Sequence, residues 1–282
     1  MTRSLHVACL QTRPRPTFES ALEDASSLVR AAASAGARWL LLPEYCGGLR
    51  TAGSRLAPPI ADENQHPVLT GLCALARECS VWLSIGSIAV PAADGRIVNR
   101  GFLVNDGGEI VARYDKVHLF DVTLSANEAY VESAVVSPGA TLVLANTPFG
   151  RIGHSICYDL RFPHLYRALA QAGAEFLCVP AAFTKLTGEA HWHVLNRARA
   201  IENGAFVLSP CAVGEIDGGG ASYGHSLIVD PWGEILADGG SDHGFIDAVI
   251  DVDAVAGARR RVPSLAHDRS FALESIDAVG LA

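Results

Sequence analysis

The chain has 282 residues, 49% hydrophobic and 18% charged, the composition of a globular protein with a sizeable core and not of a disordered one. Its 30 Asp and Glu outnumber 22 Lys and Arg, for a formal net charge of −8. That balance argues against nucleic acid as the main partner, since phosphate binding needs a basic surface.

The start, MTRSLHVACLQT, lacks the apolar core and cleavage site of a secretory signal, and no apolar run approaches the roughly 20 residues that span a bilayer. Seven cysteines, odd in number and without a C-x-x-C pair, argue against a disulfide framework or a zinc site. A reducing cytoplasm and no membrane association are the expectation.

In chain order, Leu5–Leu10 reads as a strand and Phe18–Ala35 as an amphipathic helix ending at Gly36. Arg38–Leu42 reads as a buried strand closed by Pro43, with Glu44–Gly48 as the loop after it. Pro67–Cys79 has a helical pattern. Val81–Ile88, Ile97–Val104 and Ile110–Tyr114 read as strands joined by turns at Asp94-Gly95 and Asn105–Gly108, which predicts antiparallel pairing in mid-chain. Leu142–Ala145 and Arg151–Cys157 flank the turn Pro148-Phe149-Gly150. His164–Ala172 reads as a helix, Glu175–Val179 as a strand, Ala190–Asn203 as a helix and Ala205–Ser209 as a strand. Tyr223–Asp251 is β-rich, and Gly218–Gly220 reads as a flexible surface loop. Helix-linked and hairpin-linked strands together predict mixed sheets with helices on the outer faces. With no low-complexity linker and no short-period repeat, a single domain over residues 1–282 is expected.

Candidate chemistry gathers where strands end. Cys157 closes an apolar strand before Tyr158–Pro163, where a helix begins; such a turn exposes a nucleophile beside backbone N–H groups, and a buried structural cysteine is the alternative. Glu44 follows Trp39–Pro43 as either a loop cap or a site carboxylate. Lys116 ends another strand. Of the 22 cationic residues only Lys116 and Lys185 are lysines, so a lysine kept here suggests a need for a compact ammonium that arginine does not offer.

Other patterns are weaker. Gly153–Cys157 falls one residue short of the G-x-S-x-G elbow, and no HGGG-like loop accompanies it, which leaves a serine hydrolase as the second enzyme reading. His191 and His193 sit at i and i+2 of a helix and point to different faces, so they do not form a metal pair. Trp192 reads as core or pocket wall.

Taken together, Leu42–Glu44 (L-P-E), Tyr114–Phe120 (Y-D-K-V-H-L-F) and Cys157–Pro163 (C-Y-D-L-R-F-P) resemble the nitrilase superfamily of carbon–nitrogen hydrolases. Pro180–Phe183, Thr187–Trp192, Arg197–Asn203 and Tyr223–Gly233 extend the likeness, which runs from about residue 5 to residue 269 and looks most like the Nit branch of omega-amidases and amidases of deaminated glutathione. The resemblance implies an αββα sandwich, a homodimer or larger homo-oligomer, and a Glu–Lys–Cys trio at Glu44, Lys116 and Cys157. It implies a fourth member at Glu132, whose E-S-x-x-x-S-P-G context favours it over Glu128. The implied activity is hydrolysis of a small carboxamide, with a carboxylate-bearing omega-amide as the favoured class, through a Cys157 thioester with release of ammonia. An N-carbamoyl amino acid amidohydrolase, an acyltransferase or an assembly without catalysis are the alternatives. No metal or organic cofactor is required.

The chemistry is coherent. A free thiol ionises near pH 8.5 and a free glutamic acid near 4.3, so thiol-to-carboxylate transfer needs a closed pocket. There the Cys157 thioester would form with the oxyanion held by Lys116 and the Tyr158 N–H. Phe183, Lys185 and Thr187 are further candidates for the pocket wall, the latter two as loop residues. Arg161 either binds a substrate carboxylate or pairs with a neighbouring acid such as Asp159. One departure is His193, where Nit-branch relatives commonly carry Glu; this bears on substrate choice and not on the trio.

Overall fold

The computed structural model describes residues 3–53, 55–125 and 128–276. Among them, two six-stranded mixed sheets pack face to face. The first sheet runs Gly244–Asp251, Ser4–Gln11, Trp39–Leu41, Trp82–Pro91, Ile97–Val104, Ile110–Asp115. The second runs Leu144–Thr147, Gly150–His154, Phe176–Cys178, Phe206–Ser209, Leu227–Val229, Ile235–Asp238. Both sheets carry the same succession of pairings: antiparallel, two parallel, then two antiparallel. The sheets are thus built to one plan, which no short-period repeat in the sequence betrays.

Helices α1 (Phe18–Ser34) and α2 (Pro67–Cys79) cover the first sheet, and α3 (Pro163–Gln171) and α4 (Lys185–Asn203) the second. A short α5 (Ala254–Arg261) follows the last strand. The order of layers is α-β-β-α, as the resemblance implied. Strand alternation explains it: Leu40 packs under α1 and α2, whereas Trp39 and Leu41 face the second sheet across Phe176, Cys178 and Phe206. Strands covered on both faces need apolar residues at every position, and Trp39–Leu41 and Phe176–Cys178 are buried throughout.

Local chemistry sets the ends of the helices. The Thr17 hydroxyl accepts from Ser20 N to start α1, Pro67 occupies the first turn of α2, and Gly204 ends α4 in the left-handed region at φ 51°. Three readings are corrected. The strand before Cys157 stops at His154, and Cys157 opens a 3-10 turn over Cys157–Arg161. Helix α4 begins five residues before the expected Ala190, so Lys185 and Thr187 are helical, not loop. Gly188 lies inside this helix because the packing needs the absence of a Cβ: one there would lie 2.3 Å from the Tyr223 ring. The glycines Gly218–Gly220 make the turn of a hairpin, Val213–Glu215 with Ala221–Tyr223, that packs on Thr51. No helix among the described residues is long and apolar enough to cross a membrane.

Candidate active site

Strand ends from both six-stranded sheets and from one separate hairpin converge on one buried cluster. Glu44 lies just beyond Trp39–Leu41, on a turn that crosses Gly86 so closely that a Cβ there would sit 2.1 Å from Leu42 O. The next residue, Tyr45, takes φ 51°, with its N–H held by Ser87 Oγ at 2.9 Å. Lys116 follows Ile110–Asp115, and its N–H donates to Asn99 O. Glu132 follows the hairpin Asp121–Ser125 and Glu128–Val131, which the sequence reading did not resolve. The side chain of Glu128, the competing carboxylate, lies outside the described residues.

Cys157 takes φ 49°, a conformation that costs a non-glycine residue roughly 1–3 kcal/mol and that persists only where neighbours enforce it. Asp159 is one such neighbour. Fully buried, its Oδ2 accepts from Ile156 N (2.9 Å) and Tyr114 OH (2.7 Å), and its Oδ1 accepts from His118 N (3.0 Å). The carboxylate therefore ties the cysteine turn to the strand end that carries Lys116. Pro180 O accepts the Cys157 N–H at 2.9 Å.

The polar contacts are dense. Lys116 Nζ donates to Glu44 Oε1 at 2.8 Å and to Glu132 Oε2 at 2.9 Å and Oε1 at 3.1 Å. Glu44 Oε2 accepts from Ala182 N at 3.0 Å, and Glu132 Oε2 from Phe120 N at 2.6 Å. Asn99, which sequence reasoning missed, donates from Nδ2 to Glu44 Oε1 at 2.8 Å and to Glu132 Oε1 at 3.4 Å. It is fully buried. Its only signal in the sequence was a polar residue inside the apolar strand Ile97–Val104. All four members of the cluster are at most 7% exposed.

Electrostatics follow from this burial. Desolvation alone would lower the Lys116 ammonium pKa, but Glu132 and Glu44 outweigh it and hold the pKa well above its ordinary value. The Cys157 thiol is pushed well up by burial and then by Glu44, against the opposing pull of Lys116. Ionisation of the thiol is disfavoured in this setting, so a base must take its proton as it attacks.

Above the cluster opens a cavity whose walls include Tyr45, Phe120, Tyr130, Tyr158, Phe183 and Thr187. Of the expected wall residues, Tyr158, Phe183 and Thr187 line it. Arg161 and Lys185 do not. Arg161 stands behind the wall, its guanidinium 5.3 Å from the centre of the Phe183 ring and 5.9 Å from that of Tyr158, and 3.3 Å from His191 Nδ1. It does not pair with Asp159. Lys185 is exposed in the first turn of α4.

Ser155, the candidate of the serine hydrolase reading, is buried and locked between Tyr166 OH (2.7 Å) and Cys178 O (2.6 Å), away from the cavity lining. Trp192 is core, with its indole N–H on His225 O. As expected for i and i+2, His191 and His193 diverge.

The family model for carbon–nitrogen hydrolases matches residues 6–260. A deaminated glutathione amidase of Synechocystis sp. is 40% identical over 266 residues, covering 92% of this chain and 96% of its own length. Omega-amidase NIT2 of Homo sapiens is 33% identical over 267 residues, covering 95% and 96%. Among solved structures, the C. elegans NitFhit protein superposes with a TM-score of 0.84 at 30% identity over 95% of this chain, which spans 66% of that longer protein.

Proposed function

The chain belongs to the carbon–nitrogen hydrolase family and is an amidase, and from that premise we propose that it hydrolyses a small linear amide bearing a carboxylate, through a thioester on Cys157. One observation carries the assignment of residues: Glu44, Lys116, Glu132 and Cys157 meet, almost wholly buried, at the base of the cavity.

In the proposed cycle the Cys157 thiol gives its proton to Glu44 as Sγ attacks the amide carbon. Lys116 Nζ and the Tyr158 N–H hold the oxyanion. Glu44 returns the proton to the nitrogen, the C–N bond breaks, and ammonia leaves. Water then attacks the thioester, giving a proton to Glu44 that passes to Sγ as the C–S bond breaks. Glu132 keeps Lys116 aimed and charged. No step calls on a metal or an organic cofactor.

The carboxylate preference rests on the electrostatics of one wall. Arg161 lies against Tyr158 and Phe183, both of which line the cavity, and so places a positive charge just behind the aromatic surface. The relatives named omega-amidase and deaminated glutathione amidase support amide chemistry of this kind. Release of ammonia or amine, followed across omega-amides, deaminated glutathione, N-carbamoyl amino acids, nitriles and neutral aliphatic amides, tests the reading. Faster turnover of a dicarboxylate monoamide than of a neutral amide of equal length is expected; equal rates would remove the carboxylate from the proposal.

The working unit proposed is a homodimer joined through α3 and α4. Leu165 and Leu169 of α3 are core, but Leu186, Val194 and Ile201 stay at least half exposed along α4, with Ala190 and Arg197 between them at helical spacing. Light scattering that finds a monomer at micromolar concentration would refute it.

A further inference from the structure

Away from the cavity, two imidazoles and a carboxylate converge from three separate elements. His193 comes from α4, His225 from the turn ahead of Leu227–Val229, and Asp238 from the end of Ile235–Asp238. Asp238 stands between the rings, with Oδ2 2.9 Å from His193 Nε2 and Oδ1 2.9 Å from His225 Nδ1. One ligand atom from each of the three lies within 4.8 Å of the others. Their side chains are 30%, 27% and 34% exposed, so solvent reaches the point of convergence.

The surroundings hold this arrangement in place. The Tyr223 ring stacks on His225 with centroids 4.5 Å apart, while His225 N donates to Gly240 O and His225 O accepts from Trp192 Nε1. Gly240 N donates to Asp238 Oδ1 at 2.9 Å. His225 itself sits at φ 53°, a strained conformation for a residue with a Cβ. A surface ion pair needs one imidazole for one carboxylate. Here a second imidazole is brought to the same carboxylate at a backbone cost, with His225 braced by the Tyr223 ring and Asp238 by the Gly240 N–H.

Two neutral imidazole nitrogens and one carboxylate suit zinc and its first-row neighbours, whereas magnesium and calcium prefer oxygen alone. We propose that His193, His225 and Asp238 form a zinc-class divalent metal site, completed by water, that pins α4 to the Tyr223–His225 turn and the strand ending at Asp238. The site is separate from the thioester chemistry, which needs no metal.

The test uses full-length protein stripped with chelator, in a Cys157→Ala background so that the active-site thiol does not compete. Zinc chloride titrated by calorimetry should bind at one equivalent per chain and raise Tm. Cobalt(II) should give a visible d–d band without thiolate charge transfer. His193→Ala, a substitution that favours the helix, should weaken binding by at least about the 10–100-fold that loss of a mere outer partner costs. His225→Asn, which tolerates the positive φ, and Asp238→Ala should do the same. The absence of zinc binding, a cobalt spectrum dominated by thiolate, or one-equivalent binding that survives all three substitutions would each overturn the proposal.

Discussion

Replacing Lys116 by Arg keeps the charge and changes only its shape. The ammonium is 2% exposed and satisfies three carboxylate oxygens at 2.8, 2.9 and 3.1 Å, two on Glu132 and one on Glu44. A planar guanidinium fits Glu132 in a bidentate fork, but it then has no compact donor left for Glu44 and a developing oxyanion together. Loss of one oxyanion donor costs about 3–4 kcal/mol of barrier, or roughly 10²–10³ in rate. Forcing the larger group into a filled space adds about 1–3 kcal/mol of destabilisation, a fall of several degrees in Tm. Single-turnover acylation separates the two effects, because it is measured on the fraction that remains folded. Lys185→Arg, exposed at the start of α4, serves as the control and should match wild type in both assays. Acylation within a few-fold of wild type in Lys116→Arg would show that net charge suffices, and would refute the dedicated role of the ammonium.

Asn99→Ala removes the amide that donates to both glutamates and should lower kcat about 10–100-fold with roughly 1–3 kcal/mol lost in denaturant unfolding; unchanged kcat would make Asn99 purely structural. Gly218→Ala places a Cβ 1.8 Å from Thr51 O at a position of φ 89°, and Thr51 lines the cavity, so KM should rise several-fold; an unchanged KM would detach this turn from the cavity. Burial pushes the His154 imidazole down to about 4. Since the unfolded chain takes up that proton first, the stability held by neutral His154 is complete above pH 6.5. It is lost as pH falls through about 4, by on the order of 3 kcal/mol. Urea unfolding of wild type and His154→Asn between pH 4.5 and 8 should show the pH slope shrinking in the variant.

Which parts of this molecule were legible in the sequence follows from the range of each signal. Strands buried on both faces announce themselves as apolar runs, so Trp39–Leu41 and Phe176–Cys178 were found within a residue or two. The lysine at 116 stood out because arginine fills almost every other cationic position. Asn99 did not, because its meaning depends on two glutamates 55 and 33 residues away in the chain. The start of α4 was missed, and the glycine in its first turns, Gly188, has its reason in the ring of Tyr223 on another element. Arg161 was expected at the cavity surface or on an acid, and only the packing of Tyr158 and Phe183 reveals that it stands behind them. The equivalence of the two sheets lies in strand pairing and not in residues, so no repeat could disclose it.

The central claim, that chemistry passes through a bond between substrate carbon and Cys157 Sγ, is open to direct observation. Wild-type protein quenched in acid during turnover of a dicarboxylate monoamide, then digested and analysed by mass spectrometry, should carry the acyl group on the peptide containing Cys157. The adduct should accumulate when Glu44 is replaced by Gln and a reactive ester is supplied, because the base for water is then missing. Acyl mass on the same peptide at Ser155, or undiminished turnover by Cys157→Ala, would contradict it.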